Sequence, residues 1–459
     1  MKIRRCRASE WSWRREISAL DGEQGVKQIL AAVQRDGDDA LRHFTAQFDG
    51  RSEAVSDAWP LRVPQTVLSG ALATLDASMR EALSAAADRI RAFHAAQRPT
   101  EVWWTSGDGD RLGMHWRPLR RVGVYAPGGR AAYPSTVLMD VIPAQVAGVE
   151  EIALASPPFG DTGWPHPLVL AAAALLGVDE VYRVGGAQAI AAFAYGTKSV
   201  PRVDKIVGPG NRYVALAKRA VVGDVGIDSV AGPSEVFVVA DETANPEFIA
   251  ADLLAQAEHD PDAGAVCILA GADSLADAVE GALIRQLETL PRRAEAERAL
   301  AEWGSIVLAR DVTEALDIVN QAAPEHLELL VANASDWLPR VRTAGAVFVG
   351  PWSPEPVGDY YAGSNHVLPT HGSARFQSGL GVHDFLRRMT SVEYSEQTLA
   401  KHRSHIVQLA RCEGLEAHAR AVLARNLEVK SEVGGEKVGR PGEADVYGAS
   451  GAENGRDTD

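Results

Sequence analysis

Residues 121–129 have the sequence RVGVYAPGG, a short apolar run that ends in turn-forming residues. A run of this length followed by glycine and proline predicts a buried strand that enters a loop. A helical pattern follows over residues 135–147, and Pro134 stands at its start, where proline is favourable. The stretch therefore predicts a strand–loop–helix unit.

The same alternation continues to residue 350. The other predicted strands are EIALA (151–155), EVYRV (180–184), 205–207, EVFVV (235–239), 264–269, 305–308, 326–331 and 344–350. Strands that alternate with helices indicate parallel, doubly wound sheets. We therefore expect two α/β units, at about 123–234 and 235–375.

Helical patterns flank these units. Apolar residues at three- and four-residue steps over 17–97 predict helices, which could pack onto either unit. Residues 382–428 are also predicted to be helical. Residues 430–459 are rich in glycine and acidic residues and lack apolar periodicity, so we expect a disordered tail.

Composition narrows the class of protein. The 459 residues are 46% apolar and 23% charged, as in globular chains. The net charge of -15 argues against nucleic acid or an anionic membrane as a partner. The three cysteines form no CxxC pair, and no signal peptide is recognisable. The longest apolar run, residues 168–178, is too short to span a bilayer. We expect a cytoplasmic protein.

Common catalytic motifs are missing from the sequence. There is no GxxxxGK[ST], HExxH or GxSxG, and Gly208-Pro209-Gly210 lacks the third glycine of GxGxxG. If the chain binds a nucleotide, it uses another loop.

Several polar residues could form a metal site. Gln256 and His259 share a helix face, which suits half of such a site or a plain polar helix end. Asp359 and His366 lie in the glycine-bracketed GDYYAGSNH, and His418 lies in the predicted C-terminal helices. Gln256, His259, Asp359 and His418 together form a nitrogen and oxygen set that suits Zn²⁺ or another borderline divalent ion. A turn-rich connector and a surface histidine remain the alternatives for the last two segments.

Two further segments could take part in chemistry. Glu325 and His326 place an acid beside an imidazole, a common general acid–base combination, although a surface dipeptide is the alternative. Ser234, in AGPSE between the two units, is either a ligand contact or part of a linker.

These segments, taken together and in order, resemble the histidinol dehydrogenase family. The matching strings are VGVYAPGG (122–129), YPST (133–136), VGGAQAIAAFAYGT (184–197), VGPGN (207–211), AGPSE (231–235), DLLAQAEHD (252–260), APEHLEL (323–329), GDYYAGSNHVLPT (358–370) and EGLEAHARAV (413–422). The resemblance covers about residues 20–425.

The resemblance implies two incomplete Rossmann-like domains with an aldehyde-dehydrogenase-like architecture and small terminal segments. The expected boundaries are 1–20 for an N-terminal segment, 21–122 with 235–378 for a first α/β domain, 123–234 for a second, NAD-binding domain, 379–429 for a helical C-terminal dimer contact, and 430–459 for the tail.

The resemblance also implies an activity, which is the oxidation of L-histidinol to L-histidine through L-histidinaldehyde by two NAD-dependent steps that end histidine biosynthesis. It implies one Zn²⁺ per subunit and a homodimer with a shared active site. The implied roles are acid–base catalysis for Glu325 and His326; zinc binding for Gln256, His259, Asp359 and His418, which with His326 also contact the substrate; further substrate contacts for Ser234, His366 and Glu413; and NAD contacts for Tyr125, Gln188 and Asn211.

Three other functions would suit parts of this pattern. A zinc and NAD-dependent dehydrogenase of another polar alcohol, such as a sulfonated diol, would share the scaffold and the Glu325–His326 pair. A zinc hydrolase would use the same ligands, but not NAD. A non-catalytic binding protein is disfavoured because the acid–base pair and all four ligand matches are intact.

Overall fold

The computed structural model describes residues 3–13, 22–128 and 132–425. The predicted tail 430–459 and residues 14–20 of the predicted N-terminal segment lie outside the described residues. The chain divides into two compact units. The first unit consists of Met1–Val102 and Met114–Thr390, and the second consists of Trp103–Gly113 and Ser391–Asp459.

The described residues form strands and helices in the alternating order that the sequence predicts. The strands are β1 (Arg4–Arg7), β2 (Val102–Thr105), β3 (Arg111–Pro118), β4 (Arg121–Tyr125), β5 (Glu151–Ala155), β6 (Glu180–Tyr182), β7 (Lys205–Val207), β8 (Gly226–Ile227), β9 (Glu235–Ala240), β10 (Gly264–Ala270), β11 (Ser305–Ala309), β12 (His326–Leu330), β13 (Ala346–Val349) and β14 (Leu386–Glu393). The helices are α1 (Glu23–Asp36), α2 (Asp38–Phe48), α3 (Gln65–Ala73), α4 (Ala77–Ala95), α5 (Pro134–Ala147), α6 (Pro167–Leu175), α7 (Gly186–Tyr195), α8 (Arg212–Ala220), α9 (Pro246–Ala257), α10 (Ala276–Leu287), α11 (Arg293–Trp303), α12 (Val312–Ala322), α13 (Ala334–Trp337), α14 (Glu355–Tyr360), α15 (Glu396–Cys412) and α16 (Glu416–Leu423).

One parallel sheet of the first unit contains five strands in the order β6-β5-β4-β7-β8. Tyr125 of β4 pairs with Ala155 of β5, and Val124 of β4 pairs with Val207 of β7. All five residues of β4 are buried, as expected for a central parallel strand with helices on both faces. The chain runs from β4 towards β5 on one side and places β7 on the other.

The N-terminal helices α1–α4 pack on this same sheet. Val26 and Leu30 of α1 share a core with Tyr182 and Ile190, and Ile90 of α4 lies in the core around Val122. The expected grouping of residues 21–122 with 235–378 therefore differs from the observed packing. Apolar periodicity shows which face of a helix is buried, but not which sheet covers it.

The second parallel sheet has the order β1-β11-β10-β9-β12-β13. Its centre is fully buried, since every residue of β9, β10 and β12 is buried. The strand β1, from the predicted N-terminal segment, pairs with β11 at one edge, with Arg4 opposite Ser305. Both sheets are thus parallel and doubly wound, and the predicted α/β fold class is confirmed.

The C-terminal region is less helical than predicted. Residues 386–393 form the strand β14, and the helices α15 and α16 begin only after it. The strands β2, β3 and β14 form a sheet in the order β14-β3-β2. Within the second unit, Asp108 accepts a hydrogen bond from His402 Nε2 at 2.8 Å and pairs with Lys401 of α15.

No helix in the described ranges is both long enough and apolar enough to cross a lipid bilayer.

The buried carboxyl group of Asp49, at the C-terminal end of α2, should make the free energy of unfolding depend on pH. Burial raises the pKa of Asp49 to about 6, although Arg51 opposes the shift. Because the folded state holds this proton more tightly than the unfolded state, the stability present below about pH 4 is lost as the pH rises through 6. We expect Asp49→Asn to raise the free energy of unfolding by about 1–2 kcal/mol at pH 8 and hardly at all at pH 4.

Urea unfolding of both proteins at several pH values measures this difference. The matched control is Asp161→Asn, since Asp161 is exposed. A gain in stability that is equal at pH 4 and pH 8 would contradict the assignment to Asp49.

Candidate active site

Glu325 and His326 lie at the amino-terminal edge of the second sheet, where β12 begins. β12 lies between β9 and β13, and His326 stands opposite Val236 and Ala346. Both side chains are buried, with 4% of each residue exposed. The strand pairing therefore fixes the acid and the imidazole side by side at one sheet edge.

The carboxylate of Glu325 is held from β9. Its Oε2 accepts a hydrogen bond from the backbone N–H of Glu235 at 3.1 Å, and the hydroxyl of Ser234 is hydrogen-bonded to the same carboxylate. Burial and the charge of Glu235 raise the pKa of Glu325 well above its usual range. A carboxyl group in this state is a stronger base than an exposed glutamate. The structure thus brings Ser234 and Glu325 together.

The imidazole of His326 faces two carboxyl groups. Its Nδ1 lies 3.6 Å from Glu355 Oε1 and 3.8 Å from Glu325 Oε2. Burial lowers the pKa of His326 to about 3, so the ring is neutral at neutral pH. A neutral ring can accept a proton, and the two carboxyl groups would stabilise the imidazolium that forms.

A group of possible metal ligands lies beside this pair. Donor atoms of His259, Glu355 and Asp359 all lie within 4.8 Å of one another. Gln256 is fully buried on α9, three residues before His259, and neither of its amide side-chain atoms has a hydrogen-bond partner in the described part of the chain. Unpartnered buried polar atoms cost free energy, so an external ligand is indicated here.

The charges of this cluster also fit a cation. Glu325, Glu355 and Asp359 are each at least nine-tenths buried. Burial raises the pKa of Asp359 to about 7, and burial together with the charge of Asp359 raises that of Glu355 well above its usual range. A divalent ion would reverse this penalty by pairing with the carboxylates.

Buried acids that are not ligands hold α14 in place. Glu328, on β12, accepts the backbone N–H of Glu355 at 2.8 Å through Oε1. Glu328 also shares a hydrogen bond with Asp252 of α9, and burial together with the charge of Asp252 raises the pKa of Glu328 well above its usual range. The first turn of α14 is therefore tied to the strand that begins with His326.

His366 connects the cluster to the other sheet. Its Nδ1 lies 3.1 Å from the carbonyl oxygen of Asp359, and its Nε2 lies 3.4 Å from Thr136 Oγ1 on α5. The neighbouring Asn365 donates from Nδ2 to the carbonyl oxygen of Met139 at 2.7 Å. The structure thus places the predicted substrate contact His366 beside Asp359.

The local structure at Asp359 differs from the expectation. The glycine-bracketed sequence left a turn-rich connector open, but Asp359 lies in the helix α14, whose Glu355 Oε1 is 3.6 Å from His326 Nδ1. The helix shows why Glu355 belongs to the cluster: Glu355 and Asp359 are four residues apart and share one helix face. That spacing was visible in the sequence, but no helix was predicted over residues 355–360.

The predicted NAD contacts lie at the carboxyl ends of strands in the first sheet. Tyr125 ends β4, and Asn211 caps α8 after β7, with its Oδ1 accepting the N–H of Tyr213 at 3.0 Å. β4 and β7 flank the point where the strand order reverses, which is where doubly wound sheets bind ligands.

The backbone approaches Tyr125 closely from two loops. The hydroxyl of Tyr125 accepts the N–H of Gly186 at 3.1 Å, next to Gln188, whose Oε1 has no hydrogen-bond partner among the described residues. A Cβ on Gly208 would lie 2.2 Å from the carbonyl oxygen of Tyr125. Glycine at position 208 therefore allows the loop backbone to approach Tyr125 this closely.

Two predicted site residues belong to the second unit. Glu413 follows α15 and His418 lies on α16, and both are exposed. Their roles stay predictions.

Comparison with known proteins gives one consistent result. The family model described as histidinol dehydrogenase matches residues 13–426. The chain is 52% identical over 427 residues to histidinol dehydrogenase of Geobacillus kaustophilus, covering 93% of this chain and 99% of that protein. It is 49% identical over 413 residues to histidinol dehydrogenase of Parasynechococcus marenigrum, covering 90% and 93% of the two chains. The crystal structure of histidinol dehydrogenase from Elizabethkingia anophelis matches with a TM-score of 0.86 at 35% identity, over 92% of this chain and 98% of that chain.

The donor cluster predicts a metal-binding test. We expect His259→Ala and Asp359→Asn each to weaken Zn²⁺ binding at least about tenfold, because each removes one donor. Competition with a chromophoric chelator measures the affinity, and metal analysis after dialysis measures the content. Glu258→Gln is the matched control, since Glu258 adjoins His259 in the chain but lies outside the cluster. Unchanged Zn²⁺ affinity in Asp359→Asn would exclude this carboxylate as a ligand.

Proposed function

The chain belongs to the histidinol dehydrogenase family, and on this basis we propose that it oxidises L-histidinol to L-histidine in two NAD-dependent steps at the edge where β9 and β12 begin. As a member of that family it is an oxidoreductase of histidine biosynthesis. The alternative of a dehydrogenase for a sulfonated diol has no support among relatives at about this level of identity, which carry the name histidinol dehydrogenase.

One observation supports the proposal above the others. The buried Glu325–His326 pair adjoins a cluster of His259, Glu355 and Asp359 whose donor atoms lie within 4.8 Å of one another. A base and a divalent-ion site side by side suit the oxidation of an alcohol that must be held in one orientation.

Gln256, His259 and Asp359 would hold the zinc ion from the first unit. When bound, Zn²⁺ supplies a fixed positive charge that orients the polar groups of the substrate. Ser234 lies beside Glu325 and His366 lies beside Asp359, and both would contact the substrate near the base.

The first oxidation requires removal of the alcohol proton. His326 would take this proton through Nε2, because Nδ1 faces the carboxyl groups of Glu355 and Glu325. NAD, when bound, takes up the hydride from the alcohol carbon in each of the two oxidations. The product of this step is the aldehyde, which stays in the site.

The second oxidation needs the aldehyde to be hydrated. Glu325 would take one proton from a water molecule as its oxygen bonds to the aldehyde carbon, while His326 gives the proton from the first oxidation to the former carbonyl oxygen, so that the hydrate forms and His326 is neutral again. The hydrogen bonds from Glu235 N–H and Ser234 keep this carboxylate in place. His326 would then take a proton from the hydrate as the second hydride leaves, which gives the carboxylic acid.

NAD would bind at the crevice between β4 and β7. Tyr125, Gln188 and Asn211 line the loops there, and α5 connects this crevice to the catalytic edge through the contacts of Thr136 and Asn365. This arrangement would bring the cofactor and the substrate together between the two sheets.

We also propose that the active site is shared in a homodimer. His418 and Glu413 are exposed in the second unit and would complete the zinc and substrate sites of the partner. With three ligands from the first unit, the partner's histidine would supply the fourth. A cytoplasmic location accords with three free cysteines, Cys6, Cys267 and Cys412.

The stoichiometry of NADH tests the reaction. We expect about two NADH for each L-histidinol consumed, because two hydrides leave the same carbon. Absorbance at the NADH band with limiting substrate measures this ratio. A chelator should abolish the reaction and Zn²⁺ should restore it. No NADH from L-histidinol, but turnover of a sulfonated diol, would contradict the proposal and favour the alternative.

Subunit mixing tests the shared site. His326→Asn and His418→Asn proteins should each be nearly inactive. If one site uses His326 of one subunit and His418 of its partner, then dissociating and mixing the two proteins should restore about a quarter of wild-type activity, since half the dimers are mixed and each holds one intact site. A mixture as inactive as its components would show that both residues act within one subunit.

A further inference from the structure

A buried lysine lies beneath the NAD crevice and plays no part in the chemistry described above. Lys218, on α8, is only 2% exposed. Its Nζ donates to the carbonyl oxygen of Gly208 at 2.9 Å and forms an ion pair with Asp228, whose side chain is 4% exposed. A buried charged pair of this kind is costly and seldom increases stability over an apolar pair, so its position calls for another explanation.

The ion pair encloses one residue of the loop. Asp228 Oδ2 accepts the backbone N–H of Gly208 at 2.8 Å, while Lys218 binds the carbonyl oxygen of the same glycine. Asp228 Oδ1 accepts the N–H of Ser229 at 2.6 Å. Both backbone polar groups of Gly208 are therefore bound to charged, buried side chains, and such hydrogen bonds are stronger than neutral ones.

The geometry of Gly208 needs this restraint. Its φ of +110° lies in the region that favours glycine, and a Cβ at this position would lie 2.2 Å from the carbonyl oxygen of Tyr125. Three residues later, Asn211 caps α8 with hydrogen bonds to Tyr213 N–H at 3.0 Å and Val214 N–H at 3.2 Å. Residues 208–211 are thus fixed at one end by the ion pair and at the other by the helix cap.

We propose that Lys218 and Asp228 are positioning residues for NAD: they hold loop 208–211 against Tyr125, so that the crevice between β4 and β7 is formed before the cofactor binds. This inference depends on the proposed NAD contacts of Tyr125 and Asn211. A preformed loop increases affinity because its conformational entropy is already lost before binding. Neither residue needs to touch the cofactor.

Asp140 provides a matched control within the same cluster. It lies on α5, is fully buried, and neither of its carboxyl oxygens has a hydrogen-bond partner among the described residues. Burial and the charge of Asp228 raise its pKa well above the usual range, although Lys218 opposes the shift. Asp140 therefore shares the environment of the ion pair, but makes no hydrogen bond to loop 208–211.

The test compares Lys218→Met, Asp228→Asn and Asp140→Asn in the full-length protein. We expect Lys218→Met and Asp228→Asn to raise the KM for NAD and the Kd for NADH about tenfold, while kcat at saturating NAD and the KM for L-histidinol change less than about twofold. Asp140→Asn should leave all four quantities unchanged. Steady-state kinetics gives kcat and the KM values for NAD and L-histidinol. NADH fluorescence titration gives the Kd for NADH without turnover.

The double variant Lys218→Met/Asp228→Asn separates positioning from stability. It leaves no unpaired buried charge, so its melting temperature should lie closer to that of the wild type than does that of Lys218→Met. The Kd for NADH should nevertheless remain about tenfold higher than in the wild type, because the hydrogen bond from Lys218 to Gly208 is still missing.

Two results would overturn the inference. One is recovery of NADH affinity in the double variant in proportion to its melting temperature, which would make the role structural only. The other is an equal rise of KM for both substrates in Lys218→Met. A wild-type protein that binds NADH but does not oxidise L-histidinol would contradict the proposed function instead, and the NADH titrations would still decide the role of Lys218.

Discussion

The pairing of β12 with β9 is the constraint on which the candidate active site depends. It places His326 opposite Val236, so the residues just before these positions, Glu325 and Glu235, meet at the sheet edge. There the backbone N–H of Glu235 donates to the Glu325 carboxylate at 3.1 Å. A shift of one residue in this register would turn the side chains of β12 to the opposite face and separate Glu325 from the backbone N–H of Glu235.

The site holds several acids that burial would normally exclude. Glu325, Glu328 and Glu355 are all buried, and each has a pKa raised well above its usual range, first of all by loss of solvent. Backbone hydrogen bonds partly offset the cost of burying these carboxyl groups, since Glu325 and Glu328 each accept a hydrogen bond from an N–H of a neighbouring element. The same charge density would favour a cation bound at this cluster, as proposed above. Here stability is exchanged for function.

The candidate sites lie at opposite ends of the strands in the two sheets. In the first sheet, the proposed NAD contacts lie at the carboxyl ends of β4 and β7, where the strand order reverses. Ligands usually bind at this position in doubly wound sheets. The second sheet uses the amino edge of β9 and β12, because α9 and α14 both return there with His259 and Asp359. Thr136 and Met139 of α5 contact His366 and Asn365 beside the second sheet, which would let the proposed substrate and cofactor sites face each other.

Local sequence patterns determined much of the fold and part of the candidate site. Short apolar runs followed by turn residues predicted the parallel strands. The Glu325–His326 dipeptide and the Gln256–His259 spacing indicated an acid–base pair and metal ligands, because these patterns are short-range. The tertiary structure alone decided which sheet the helices α1–α4 cover, that residues 386–393 form a strand, and that Glu355 faces His326. It also decided that Lys218 and Asp228 bind the two sides of Gly208. These outcomes depend on contacts between residues far apart in the chain, and such contacts leave no periodicity in the sequence by which they could be predicted.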